Sequence, residues 1–251
     1  MSPGQLVLLA VAGVVAGAVN TVAGGGSLLT FPVLVATGHG ALTANITNTL
    51  GITPGNLAGA VAYREEIARV RRRSGRLALD AVAGAIIGTV LLLVAPPGAF
   101  RAAVPALLVV ASVLLLLQSR IAARLAARAA VGEHDLPWPV HAAVLIGSIY
   151  GGYFGAALGV LLLALLGLVL PDDLRQVNGL KTMLQFVTNG VAAVGLGIFG
   201  PVDWTAVLVL AVASPVGGYG GASIARLVPA QALRFGVACI GIAAAVVLVT
   251  R

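Results

Sequence analysis

Charge is scarce in this chain. Only 9% of its 251 residues are Asp, Glu, Lys or Arg, against about 25% in soluble domains. With 59% hydrophobic residues and a mean hydropathy of +1.06, a soluble fold could not cover its own apolar surface. The single cysteine, Cys239, can form no internal disulfide and is expected to pack in the core. Carboxylates are missing from the middle of the apolar segments. Glu65, Glu66, Glu133, Asp135, Asp172, Asp173 and Asp203 fall in loops or at helix starts, with the three later aspartates placed as caps. Asp80 lies near a helix start, four residues after Arg76, and pairing with that arginine is expected. A cation carrier normally needs a carboxylate at mid-depth, so cations are disfavoured as cargo. No Ser–His or paired-carboxylate arrangement appears in the spans, which disfavours an intramembrane enzyme. The histidines His39, His134 and His141 are dispersed without metal-ligand spacing. No ATP-binding motif is present, and neither a cofactor nor a metal is expected.

What remains is apolar sequence, and its natural solvent is a lipid bilayer. A helix needs roughly 20 mostly apolar residues to cross it, and its backbone must be paired within the segment. Runs such as Ala106–Leu117 do not alternate, which excludes the β-barrel solution. Ten segments follow. The first five are Gln5–Ala23, Ser27–Thr37, Ala41–Ala62, Leu77–Ala95 and Ala102–Gln118; the second five are Val140–Ala156, Ala157–Leu170, Gln176–Val194, Trp204–Ala225 and Arg234–Thr250. Ser27–Thr37 and Ala157–Leu170 are too short to cross at about 1.5 Å per residue, and are expected to be half-helices or re-entrant hairpins. Met1–Asn20 lacks the positive n-region of a signal peptide and is expected to stay in the mature protein.

The two fives repeat. An offset of 133 residues, the distance from Asn45 to Asn178, also carries Gly26 to Gly159, Thr49 to Thr182, Asn56 to Asn189, Gly84 to Gly217 and Pro96 to Pro229. Residues 1–118 are therefore read as one membrane repeat, 119–139 as a cytoplasmic linker and 140–251 as the second repeat. The net charge of +7 is assigned to topology, not to nucleic acid. Tyr63–Arg76 carries six arginines and should be cytoplasmic, whereas its counterpart Gly195–Asp203 has neither Lys nor Arg and should be external. The expected fold is all-α and polytopic, an inverted-topology repeat with short or broken helices and both termini outside.

Two polar stripes mark the candidate site. Asn45, Asn48, Thr49 and Asn56 share one helical face, and Asn178, Lys181, Thr182, Gln185 and Asn189 share another. Polar side chains at this depth either join helices or line a cavity. Two matched stripes point to a central binding site. Lys181 is the only lysine in the chain; its role is electrostatic capture of an anion, or snorkelling to the cytoplasmic loop. The run Gly24–Gly25–Gly26–Ser27 permits a sharp turn and offers a helix N-terminus to an anion, or forms a tight hairpin with no ligand. Gly13/Gly17, Gly84/Gly88, Gly151/Gly155/Gly159 and Gly217/Gly221 read as small faces that pack helices within the chain.

The stretch Ala16–Asn56, AGAVNTVAGGGSLLTFPVLVATGHGALTANITNTLGITPGN, resembles the start of the sulfite exporter TauE/SafE family, also called the toluene sulfonate uptake permeases. The resemblance lies in the glycine turn followed by Leu-Thr-Phe-Pro, and in Ala44–Asn45 with Asn48–Thr49. Gln176–Asn189 is similar to that family's second-half pattern. The resemblance implies a secondary transporter of sulfite, sulfonates or related organosulfur anions in the bacterial inner membrane. A passive anion channel is the alternative. The expected partners are a small anion and lipid, with homo-oligomer formation left open.

Overall fold

The computed structural model describes residues 1–126, 138–170, 174–224 and 230–250. Asp172 and Asp173, and most of the linker, lie outside these. The described residues form eleven helices and no strand. They are α1 (Pro3–Val22), α2 (Ser27–Ala36), α3 (Ala41–Ala62), α4 (Arg64–Arg69), α5 (Arg71–Val94), α6 (Pro97–Ala126), α7 (Trp138–Tyr153), α8 (Leu158–Val169), α9 (Leu174–Phe199), α10 (Trp204–Ile224) and α11 (Ala230–Thr250). The ten expected segments are all present. The arginine-rich connection is more ordered than a loop, because arginine is a good helix former: it holds α4 and the first turns of α5. At the other end of its counterpart, α9 runs on to Phe199 and leaves only residues 200–203 as a connection.

Local signals set the ends. Ser2 and Gln5 make a capping box ahead of Pro3, the first residue of α1. Asp203 caps α10 by accepting from the backbone N–H of Ala206 at 3.1 Å, as expected. The helices α2 and α8 have 10 and 12 residues, too few to cross a bilayer unaided. Pro3–Thr21, Arg71–Val94, Gly98–Gln118 and Arg175–Phe199 are long and apolar enough to do so.

The distribution of polarity is inside-out. Val7, Leu8 and Val11 of α1, Leu79, Ile86 and Val90 of α5, and Leu208, Val212 and Val216 of α10 face outward. Asn20, Thr30, Asn45, Asn48, Asn56, Gln118, Lys181, Gln185 and Asn189 are buried. Lipid explains both halves of this pattern, since it solvates the apolar face and cannot pair a polar one. The protein is a polytopic α-helical membrane protein. Cys239 departs from expectation: it lies on the outward face of α11, not in the core. An apolar outer surface makes an apolar run a poor guide to burial here.

The helices pack in counterpart pairs. α1 lies on α10 as α7 lies on α5, α3 on α10 as α9 on α5, and α2 on α11 as α8 on α6, while α3 meets α9 and α6 meets α11. Glycines allow the closest approaches. A methyl on Gly17 would sit 2.0 Å from the carbonyl oxygen of Ser214 on α10, and one on Gly217 would sit 1.8 Å from that of Val14. On the other pair, methyls on Gly84 and Gly88 would sit 2.6 and 2.1 Å from the carbonyls of Leu145 and Ile149 on α7. These small faces therefore join helices of one chain, as their spacing predicts. Contacts also fix direction. Gly51 and Gly55 meet Leu210 and Ser214, so α3 and α10 run parallel. Gly200 meets Ile46 while Thr182 meets Gly59, so α3 and α9 run antiparallel. Counterpart helices of opposite direction are what an inverted repeat requires.

Candidate functional site

Two chain reversals meet inside the molecule. After α1 the chain turns at Gly24 (φ +85°), and after α7 it turns at Gly155 (φ +74°) and Ala157 (φ +56°). Ala157 stands 133 residues after Gly24, so the left-handed conformation recurs with the repeat. The turns then touch backbone to backbone: a methyl on Gly24 would lie 2.5 Å from the Gly159 Cα, and one on Gly159 would lie 2.6 Å from the Gly24 Cα. The helices that start here, α2 and α8, bring two N-terminal dipole ends to one place, which favours negative charge. Gly25 and Gly26 serve packing as well, against Leu115 and the Ala16 carbonyl. Ser27 is buried as the first residue of α2.

The polar stripes converge on this junction. The side chains of Asn45, Asn48, Thr49, Asn56, Lys181, Thr182, Gln185 and Asn189 are buried, and Asn178 is half-buried. A methyl built on Gly155 would lie 3.6 Å from Asn189 Oδ1 and 4.0 Å from Thr49 Oγ1. Thr53 Oγ1, which donates to the Thr49 carbonyl at 2.6 Å, also lies 3.4 Å from the Asn189 carbonyl. Because Thr49 and Thr53 sit near Asn189 while Gly59 touches Thr182, antiparallel packing sets Asn56 level with Gln185. Gln185 Oε1 lies 2.5 Å from a methyl built on Gly159, which ties this level to the crossed turns.

The stripe residues divide by their bonding. Asn45 Nδ2 donates to the Tyr153 carbonyl at 3.2 Å and so joins α3 to the end of α7. Thr30 donates a short hydrogen bond to Asn48 Oδ1, joining α2 to α3. Thr49 and Thr182 donate to the carbonyls four residues back, Asn45 and Asn178, at 2.9 and 2.7 Å. These four polar groups are used by the fold. Others are not: Asn56 Nδ2, Asn189 Nδ2, both amide atoms of Gln185, and Asn178 Oδ1 are buried with no hydrogen-bond partner within the protein among the described residues. Leaving such a group unsatisfied costs about 1–3 kcal/mol. Four residues of this kind on two facing helices are more than packing requires. Their donors suit an oxyanion.

Lys181 lies on the same face, one turn before Gln185, with no solvent exposure. It is the only charged side chain among the described residues that is buried to this degree. Snorkelling therefore does not describe its position. The carboxylates stay peripheral, but one partner differs from expectation. Asp80 accepts from His141 Nδ1 of α7 at 2.6 Å, because α5 packs along α7 and brings the ring within reach. His39 and Asp203 pair at 2.8 Å between the α2–α3 turn and the connection before α10. No cluster able to hold a metal occurs among the described residues.

Asn20 is a member of the junction that the stripe pattern does not include. Its side chain accepts from the Gly26 backbone N–H at 2.7 Å and donates to Asn56 Oδ1 at 3.2 Å. A lone asparagine inside an apolar helix was the available signal. Gln118 of α6 likewise donates to the Ala23 carbonyl at 2.9 Å and steadies the turn.

Three comparisons with known proteins bear on this arrangement. Residues 9–248 match the model of a family described as sulfite exporter TauE/SafE. The chain is 28% identical over 160 residues to the probable membrane transporter protein YfcA of Escherichia coli (strain K12), and equally to that of strain O157:H7. The match covers 63% of this chain and 58% of each relative. No solved structure matches.

Proposed function

This chain belongs to the sulfite exporter TauE/SafE family, and we propose that it is a secondary transporter that carries a small organosulfur anion through the junction of the two turns. The observation that carries the reading is the set of buried amide atoms left without a partner among the described residues, Asn56 Nδ2, Asn189 Nδ2 and both amide atoms of Gln185, on the faces that also bear Lys181. A sulfite or sulfonate head offers three oxygens, which amide donors from α3 and α9 can approach together. The buried lysine and the two helix N-termini offset part of the cost of removing the anion from water, and charge-assisted hydrogen bonds are the stronger kind. In this proposal the halves form an inverted repeat, the arginine-rich α4 region faces the cytoplasm, and the membrane is the bacterial inner membrane. With no ATP-binding motif in the sequence, gradients drive accumulation. Binding of sulfite and small sulfonates to purified protein, measured by titration calorimetry, tests the reading. Lys181→Ala should weaken binding by at least about 1.5–3 kcal/mol, the range for a hydrogen bond to a charged group. A well-folded Lys181→Ala protein that binds and transports these anions like wild type would remove Lys181 from the site and overturn the reading.

A further inference from the structure

One backbone N–H fixes the direction of every group in the chain Gly26–Asn20–Asn56. The Gly26 N–H can only donate, so the Asn20 atom facing it at 2.7 Å must be Oδ1. That places Asn20 Nδ2 at the other end of the same amide, facing Asn56 at 3.2 Å. Nδ2 in turn can only donate, so the Asn56 atom it meets is Oδ1, and Asn56 Nδ2 is left as the outer end of the relay. This buried donor has no partner among the described residues. Asn20 and Asn56 are each 3% exposed, so water has little access to reorient either amide. The relay starts at the glycine turn because Gly26 approaches α1 so closely that a methyl there would lie 2.1 Å from the Ala16 carbonyl.

We infer that Asn20 is a positioning residue that sets the polarity of the anion site: it holds Asn56 so that Nδ2, and not Oδ1, is presented to the substrate. The inference rests on the proposed anion-binding function and deepens it. The second half has no equivalent, since the position 133 residues after Asn20 is Tyr153. The two halves therefore present their matched asparagines, Asn56 and Asn189, by different means, and only the first is wired to a backbone donor. Asn20→Asp keeps the acceptor for Gly26 but loses the donor. Asn56 would then turn its Nδ2 toward the aspartate and its oxygen toward the anion. Asn20→Ser is gentler: it retains an oxygen but is too short to hold Asn56.

The test is sulfite binding by titration calorimetry on detergent-purified full-length protein, with elution profile and thermal unfolding as checks of fold. Asn20→Ser and Asn56→Ala should each weaken sulfite binding about threefold to tenfold, the worth of one net hydrogen bond. Asn20→Asp should weaken it more, because it turns an acceptor toward the anion. The double variant Asn20→Ser/Asn56→Ala should bind no more weakly than Asn56→Ala alone, because Asn20 acts through Asn56. Additive losses would overturn the positioning role, as would a folded Asn20→Ser protein of wild-type affinity. If the wild-type protein binds no sulfite while folded, the anion reading itself falls and this inference with it. If Lys181→Ala abolishes binding while Asn20→Ser leaves it intact, only this inference falls.

Discussion

Gly24 carries two constraints that no other residue type satisfies. Its φ of +85° lies in the left-handed region, and the space where a methyl would stand is occupied by the Gly159 backbone 2.5 Å away. Ala157 meets only the first constraint and tolerates it, at a cost of about 1–2 kcal/mol. Gly24→Ala should accordingly lower the thermal unfolding midpoint far more than Gly236→Ala, whose new methyl meets nothing within 4 Å and gains helix propensity of just under about 1 kcal/mol. Equal midpoints for the two variants, compared in one detergent, would show that the crossed turns are not tightly packed. At the same scale the stripe residues separate into two jobs. Asn45 and Asn48 join helices, and Thr49 and Thr182 bond within their own, while Asn56, Gln185 and Asn189 keep amide atoms to spare. The i, i+3, i+4 spacing reports a shared face and cannot report which members of it are already bonded.

Elements far apart in sequence are joined at the periphery by histidine–aspartate contacts, His39 with Asp203 and His141 with Asp80. His39, between α2 and α3, holds Asp203 at the start of α10, and the Thr47 hydroxyl oxygen closes the same corner by accepting from the Asp203 backbone N–H at 3.1 Å. The hydrogen bond from His39 is the main cause that holds the Asp203 carboxyl below its ordinary range; partial burial opposes it, and backbone N–H groups of Ala206 and Thr205 assist. A depressed carboxylate contributes stability that is present above its unfolded pKa, about 3.9, and is lost as pH falls through the lower folded value. This pair should therefore leave stability flat between pH 5 and pH 7 on the carboxylate's account and weaken it only in strong acid. His39→Ala should move the acid limb of the unfolding-midpoint profile upward toward pH 4. An acid limb that stays in place would mean that Asp203 does not depend on His39. The corner was hidden in the sequence, where the two residues are 164 apart.

For the whole molecule, antiparallel α3 and α9 place their C-termini at opposite ends of the bundle. Arg69, after α3, and Pro201, after α9, are both exposed, and the proposed inverted repeat would put them on opposite sides of the membrane. In a Cys239→Ala background, Arg69→Cys should react with an impermeant thiol reagent only from the cytoplasmic side, and Pro201→Cys only from outside. Labelling of both from one side would exclude the inverted arrangement. The Cys239 replacement is needed because that thiol faces outward.

The sequence by itself determined the solvent and the helices, and it carries the 133-residue offset from which the repeat is read. Hydropathy, helical spacing and a fixed offset are properties of neighbouring or aligned residues, and they survive without any knowledge of contacts. It also determined which residues stand on the two polar faces, and that Lys181 is alone of its kind. The tertiary structure decided the rest: that the turns at Gly24 and Gly159 touch, that Asn56 lies level with Gln185, and that Asp80 meets His141 and not an arginine one turn away. It also brought Asn20 to the junction of the turns, through a relay that begins at a backbone N–H. Such contacts depend on helix direction and on glycine backbones packed too closely to admit a methyl between them, and local pattern carries no information about either.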